Sequence, residues 1–338
     1  MNTKELLNKL VSKKDLTENE SSFLLEGIIS GDLSAVQASA FLTALRTKGE
    51  SVSEILGLIK KMRTNMLPVK TTGVVIDIVG SGGDGQNTFN VSTTASFVAA
   101  GAGVKVAKHG NRAASSKCGS ADVLESLGIN INLTPQQASK VLKDVGLVFL
   151  FAPLFHPAMK NVISVRKELG FRTVFNFLGP FLNPAQVKSA LIGLPSEEIA
   201  EKLSSVARKL GFKHAIIFSS QDGMDEISIC APTIIYEVIG NIVKKKTIKP
   251  SDFGIKTANK KQLLGGDAPT SAAIVKSILS GEKGPKRDIV LLNAAFGIYI
   301  AGGAKSIKQG LRLSEESIDK GRALKVMENL IKETNKYV

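Results

Sequence analysis

Apolar runs parted by short polar links fill the first 66 residues, and this pattern predicts helices packed as hairpins. Three helix starts carry a capping box: Thr17 with Glu20, Ser34 with Gln37, and Ser51 with Glu54. In each, a hydroxyl and an acceptor three residues later close N–H groups that the first helical turn leaves open. From residue 74 the rhythm changes. Strand-length apolar runs at 74–79, 104–107, 146–151, 190–194 and 215–219 alternate with helical stretches, which predicts a largely parallel sheet covered by helices. Thr134 followed by Pro135 marks one of those helix starts. Two β-branched runs, 233–239 and 242–248, flank Gly240-Asn241 and predict a hairpin. The remainder reads as helices over 269–281, 286–302 and 314–334.

The junction between the run at 74–79 and the alanine-rich helix after it reads Gly80-Ser81-Gly82-Gly83-Asp84-Gly85-Gln86-Asn87-Thr88-Phe89-Asn90-Val91-Ser92-Thr93-Thr94. Four glycines in six residues exceed the needs of a strand-to-helix turn. They let backbone N–H groups approach an anion, and a helix starting near Val91 adds its positive end and the Ser92 and Thr93 hydroxyls. Gly80, Gly82 and Gly85 also satisfy G-x-G-x-x-G, but a nicotinamide site wants a carboxylate about 20 positions on. Here the next strand-like run ends in Lys108-His109-Gly110-Asn111-Arg112, three candidate cations instead. A Walker loop is absent from the sequence. The chemistry favours a phosphate cradle over a dinucleotide oxidoreductase.

Charge sharpens the choice of partner. Forty-four Lys and Arg against thirty Asp and Glu give a net charge of +14, which suits a phosphate-rich substrate or a nucleic acid. Lys244-Lys245-Lys246, with Lys249, Lys256, Lys260 and Lys261, is the candidate nucleic-acid patch. Aromatic residues make up only 5% of the chain and tryptophan is missing, so stacking platforms are scarce. The patch reads as a solvated hairpin, and nucleic acid is not the expected partner. Two cysteines, Cys118 and Cys230, form no framework, and the apolar stretch 289–304 is broken by Asn293 and glycines. A cytoplasmic protein with no disulfide and no membrane partner is expected.

Residues 108–125, from Lys108 through Cys118-Gly119-Ser120-Ala121-Asp122 to Glu125, combine cations, an amide and hydroxyls ahead of a helix. With the glycine loop they resemble the anthranilate phosphoribosyltransferase family. The resemblance continues through His156-Pro157-Ala158-Met159-Lys160, Arg166-Lys167-Glu168-Leu169-Gly170, Asn176-Phe177-Leu178-Gly179-Pro180, Asn183-Pro184 and Asp222-Gly223-Met224-Asp225-Glu226. Two positions depart from the family pattern. Cys118 stands where serine is usual, and Ser81 where threonine is commoner.

The resemblance implies an α/β protein of the nucleoside-phosphorylase-like type: a small α-helical domain, 1–70 with a returning segment at about 173–186, beside a larger α/β domain, 71–338, with a mostly parallel central sheet. It implies a homodimer, and transfer of the phosphoribosyl group of phosphoribosyl pyrophosphate to anthranilate in tryptophan biosynthesis. Phosphoribosyl pyrophosphate would be bound by Gly80, Gly82, Gly83, Asp84, Thr88, Asn90, Val91, Ser92, Thr93, Lys108, Ser115, Ser116 and Ser120. Anthranilate would meet Gly80, His109, Asn111 and Arg166, with the Arg166 fork on its carboxylate. Ser92, Asp225 and Glu226 would hold Mg²⁺, whose preference is for hard oxygen beside substrate phosphate. No covalent nucleophile or strong base is required, so no catalytic side chain of that kind is assigned. The alternatives are a pyrimidine nucleoside phosphorylase-like enzyme, whose motifs are not found, and a non-enzymatic nucleic-acid-binding relative, which has no use for Arg166 or the Asp225-Glu226 pair.

Overall fold

The computed structural model describes residues 1–113 and 117–338, so Ser115 and Ser116 lie outside the described residues. Four helices come first: α1 Thr3–Val11, α2 Glu18–Ser30, α3 Ala35–Lys48 and α4 Val52–Thr64. All three capping boxes are formed, at the starts of α2, α3 and α4. Leu24, Leu25 and Ile28 of α2 share a buried face with Ile55, Ile59 and Met62 of α4. The α2–α4 approach depends on Gly57, where any Cβ would strike the Glu18 carbonyl and the Ser21 hydroxyl. Glu54 is fully buried there, yet it accepts from the Leu16 N–H at 2.9 Å, the Ser51 N–H at 2.7 Å and the Lys48 ammonium at 2.9 Å. A buried charge satisfied this way fixes how the helices meet.

Seven strands form one sheet in the order β3-β2-β1-β4-β5-β6-β7. β1 Val75–Gly80, β2 Lys105–Gly110, β3 Leu147–Phe151, β4 Ser189–Gly193 and β5 His214–Ser220 are parallel, and near-continuous apolar runs suit strands covered on both faces. β6 Thr233–Ile239 and β7 Ile242–Ile248 add an antiparallel hairpin through Gly240-Asn241. Lys244, Lys245 and Lys246 are exposed on β7, the sheet's edge, where lysines discourage strand-to-strand association. α5 Val91–Gly101 packs between β1 and the apolar helix Pro285–Ile300. The run expected to form one helix over 314–334 is instead two, Ile307–Asp319 and Arg322–Thr334. Gly321, at φ +67°, takes the left-handed conformation that parts them.

Between β3 and β4 the chain crosses back to the first helices. The helix Lys160–Leu169 packs on α2 and α3, and Asn161 Nδ2 donates to the Ile29 carbonyl at 3.1 Å. Phe175, Phe177, Leu178, Phe181 and Leu182 are then buried, while the Arg63 Nε donates to the Phe181 carbonyl and the Val69 N–H to that of Pro184, both at 2.9 Å. Strand order reverses between β1 and its two neighbours, β2 and β4. In an open parallel sheet the crevice beyond the strand ends at such a switch point is where ligands bind.

Candidate active site

At that crevice β1 and β4 end in paired glycines, Gly80 opposite Gly193. Asp225 rests on both. A Cβ on Gly80 would come within 2.6 Å of the Asp225 Oδ2, and one on Gly193 within 2.6 Å of the Asp225 carbonyl carbon. The glycine loop then folds over the carboxylate: the Gly82 N–H donates to Asp225 Oδ2 at 2.6 Å, and the Asp225 N–H donates to Asp84 Oδ2 at 3.3 Å. Gly82, Gly83 and Gly85 have φ of +79°, +67° and +74°, a region costly for other residues. At the first turn of α5 the Ser92 N–H donates to Glu226 Oε1 at 3.0 Å. The helix end expected to meet an anion here meets a carboxylate of the protein itself.

Asp225 and Glu226 are each only 7% exposed. Burial raises the pKa of both above the usual carboxylate range; the neighbouring Asp84 charge adds to the effect on Asp225, and the Asp225 charge to that on Glu226. Such a pair favours whatever brings positive charge to it. Lys108, 3% exposed, supplies one such charge, donating to the Ile78 carbonyl at 2.7 Å and the Ser92 hydroxyl at 3.2 Å. Burial draws the Lys108 pKa down, while Asp77, Glu226 and Asp225 oppose that shift. Among the described residues no group of three or more His, Cys, Asp or Glu side chains forms a ready metal cage. The donor set still fits Mg²⁺: two hard carboxylates with an oxygen each beyond its backbone bond, and the Ser92 hydroxyl of the residue bonded to Glu226.

Of the three candidate cations, Lys108 and His109 lie within β2 and Arg112 just after it, and among the described residues only Lys108 bonds to the Ser92 end of the glycine loop. His109 is buried with Nδ1 3.2 Å from the Gly179 carbonyl, and burial holds its pKa down at about 3, so the ring is neutral. Its centroid lies 5.2 Å from that of His156, whose pKa burial depresses to about 4. Arg112 turns away to Asp122 at 3.1 Å and Glu125 at 3.0 Å, over the Phe151 ring. Asn111 is exposed, its Oδ1 accepting from the Arg112 N–H at 2.7 Å. Arg166 is half-buried, 3.5 Å from Asn176 Oδ1 and above the Phe175 ring, with no carboxylate partner among the described residues. The segment Phe175–Leu178 with Gly179 thus touches both Arg166 and His109.

The remaining expected residues among those described belong to the loop and the start of α5, or to the 117–120 stretch joined to them. Asn90 Nδ2 donates to the Cys118 carbonyl at 3.3 Å, joining the glycine loop to the 117–120 stretch, and Ser120 Oγ reaches the Asn111 carbonyl at 3.4 Å. Thr88 bridges Leu264. Val91 and Thr93 are buried, and the Val91 N–H is taken by the Phe89 carbonyl. Four residues at the site escape motif reading. Gly193 floors Asp225; Arg172 reaches the Gly82 carbonyl at 3.5 Å; Lys260 reaches Gln86; and Asp77 lies beneath, accepting from Asn183 at 2.8 Å and the His109 N–H at 3.3 Å. Asp77 is wholly buried, which raises its pKa to about 6. Each of these is set by a partner distant in sequence, which periodicity cannot register.

Residues 4–66 match the helical bundle domain of a glycosyl transferase family, and residues 72–324 match its a/b domain. The chain is 48% identical to the anthranilate phosphoribosyltransferase of Geobacter sulfurreducens and 48% identical to that of Methanobrevibacter smithii, each over 98% of this chain and 99% of the relative. Its structure superposes on that of the Thermus thermophilus anthranilate phosphoribosyltransferase with a TM-score of 0.92 at 37% identity, covering 98% of this chain and 99% of the other. It also superposes on the Saccharomyces cerevisiae enzyme in complex with PRPP and Mg, with a TM-score of 0.91 at 31% identity, covering 99% and 98%.

Proposed function

Since the chain belongs to the anthranilate phosphoribosyltransferase family, we propose that the crevice beyond β1 and β4 is where its own residues carry out that family's reaction. The enzyme transfers the phosphoribosyl group of phosphoribosyl pyrophosphate to the amino group of anthranilate, giving N-(5-phosphoribosyl)anthranilate and pyrophosphate in L-tryptophan biosynthesis. The observation that carries the site assignment is the meeting of three unlike parts: loop N–H groups, the buried Lys108 and the Asp225-Glu226 pair.

In this reading Gly80, Gly82, Gly83, Asp84, Thr88 and Asn90 to Thr93 cradle phosphoribosyl pyrophosphate, with Lys108 and Ser120 closing over its phosphates. Ser115 and Ser116 are proposed for the same role from the sequence. Negative charge grows on departing pyrophosphate as the ribosyl carbon becomes cation-like, so donors fixed in advance stabilise the transition state. Mg²⁺, when bound, supplies further charge neutralisation there. Asp225, Glu226 and Ser92 would hold it through carboxylate and hydroxyl oxygens, the ligand type this ion prefers. The Arg166 guanidinium takes the anthranilate carboxylate, and Asn111 and the uncharged His109 line the ring side. An aromatic amine is already unprotonated at neutral pH. Positioning therefore carries much of the acceleration.

The proposal extends to organisation. The helical domain comprises 1–70 with the returning segment 173–186, the α/β domain 71–338, and two copies associate through the helical part in the cytoplasm. Among the described residues no helix is long and apolar enough to cross a membrane. The test is the loss of anthranilate fluorescence. It should require both phosphoribosyl pyrophosphate and Mg²⁺ and be matched by pyrophosphate release; loss without either component, or none with both, would overturn the assignment.

A further inference from the structure

One stretch counted in the lysine-rich surface patch does something other than face solvent. The short 3₁₀ turn Lys260–Leu263 and the two residues after it lie along the outer side of the glycine loop. The Phe89 N–H donates to the Leu263 carbonyl at 3.1 Å, the Gly265 N–H donates to the Asn87 carbonyl at 3.0 Å, and Thr88 and Leu264 form an isolated antiparallel bridge. Gly265 has no room for a side chain, since a Cβ would fall 2.8 Å from the Phe89 Cα. The Lys260 ammonium donates to Gln86 Oε1 at 2.9 Å and to the Asp222 carbonyl. Asp222 in turn shapes the turn that carries Asp225 and Glu226: its Oδ1 accepts from the Met224 N–H at 3.2 Å and its Oδ2 from the Ser228 hydroxyl at 2.7 Å. Lys261, the next residue, is exposed.

We propose that residues 260–265 clamp the phosphate loop, and that Lys260 is a positioning residue which sets that loop in register with the carboxylate turn. The inference rests on the site reading above. The loop holds three glycines in left-handed conformation and is intrinsically free to wander, so a productive cradle has to be held by something outside it. One cation that bonds to both sides does this directly: Gln86 belongs to the loop, Asp222 to the turn. Lys260 is not a catalytic residue, because its partners are protein oxygens.

The test is Lys260→Met, which keeps the stem and removes the ammonium, beside Lys261→Met as the exposed control. Hydrogen exchange in peptides covering 81–90 of the ligand-free protein should quicken in the Lys260 variant alone. The dissociation constant for phosphoribosyl pyrophosphate with Mg²⁺, measured by calorimetry without anthranilate, should rise about tenfold, at the lower end of what loss of a supporting partner costs a metal site. Gln86→Leu should produce the same shift, and the double variant should add little to either, because the two act through one bond. Lys260→Arg should recover part of the affinity. Wild-type exchange and affinity in Lys260→Met would overturn the proposal, as would a general rise in exchange over the whole chain. If the wild-type protein itself binds no phosphoribosyl pyrophosphate, the site reading fails, and the exchange of 81–90 alone decides the clamp.

Discussion

Gly193→Ala perturbs the site without touching any residue expected to meet substrate. An added Cβ would stand 2.6 Å from the Asp225 carbonyl carbon and 2.8 Å from the Phe218 Cζ. Carbon atoms rest comfortably at about 3.5 Å or more, so the turn has to retreat by roughly 1 Å. The obstacle on the Asp225 side is backbone, and no rotamer change relieves it. Overpacking of this kind typically costs about 1–3 kcal/mol, which a domain this size tolerates. The Asp225 carboxylate is nevertheless carried off its position beside the Gly82 N–H, and a misplacement of about 1 Å costs on the order of 100-fold in rate. Steady-state anthranilate fluorescence, with circular dichroism and a melting curve alongside, should show a roughly 100-fold loss of kcat/KM in a folded protein. Wild-type kinetics in Gly193→Ala would mean that the turn carrying Asp225 and Glu226 can slide freely, and the argument from close packing would be wrong.

Arg166→Ala should raise the KM for anthranilate more than tenfold, since removing the partner of a desolvated carboxylate costs about 2–5 kcal/mol, while the KM for phosphoribosyl pyrophosphate stays near wild type. Asp225→Asn with Glu226→Gln should make the ligand-free protein more stable to heat at pH 8. The sign follows from the raised pKa values: the folded state holds protons that the unfolded state has released, so wild-type stability falls as pH rises from the ordinary carboxylate range through the raised values. The gain should shrink toward pH 5, and a melting temperature unchanged at pH 8 would contradict the burial argument. Changing Lys244, Lys245 and Lys246 together to glutamine should leave turnover within a few-fold of wild type, because they line an exposed sheet edge; salt-sensitive nucleic-acid binding lost in that variant would give the patch a function.

Local chemistry made much of the fold legible. The capping boxes at Thr17, Ser34 and Ser51, the Thr134-Pro135 start and the Gly240-Asn241 turn are all short-range devices, and each is found where its residues stand. The break at Gly321 is hidden in the sequence because apolar spacing runs on through it, and only the left-handed backbone shows the stop. At the site, the glycine loop and Lys108 announce themselves by composition. Their partners do not. Arg112 looks like a third phosphate cation until Asp122 and Glu125 are seen to hold it, and His109 looks protonatable until its burial is known. Gly193, Arg172, Lys260 and Asp77 are ordinary residues in sequence, given meaning only by what the fold brings against them. The resemblance in turn supplied what no local rule could, the proposal that Asp225 and Glu226 hold the metal.

The central claim is that those paired carboxylates serve the departing pyrophosphate, and the most direct measurement is turnover of Asp225→Asn with Glu226→Gln against Mg²⁺ at saturating anthranilate. Both changes remove charge at nearly constant volume, so the fold confirmed by circular dichroism should be intact. The account predicts that most Mg²⁺-stimulated turnover disappears, with partial return at excess metal. Wild-type turnover with the same metal dependence in the folded double variant would contradict it, and would make the pair a charged turn and nothing more.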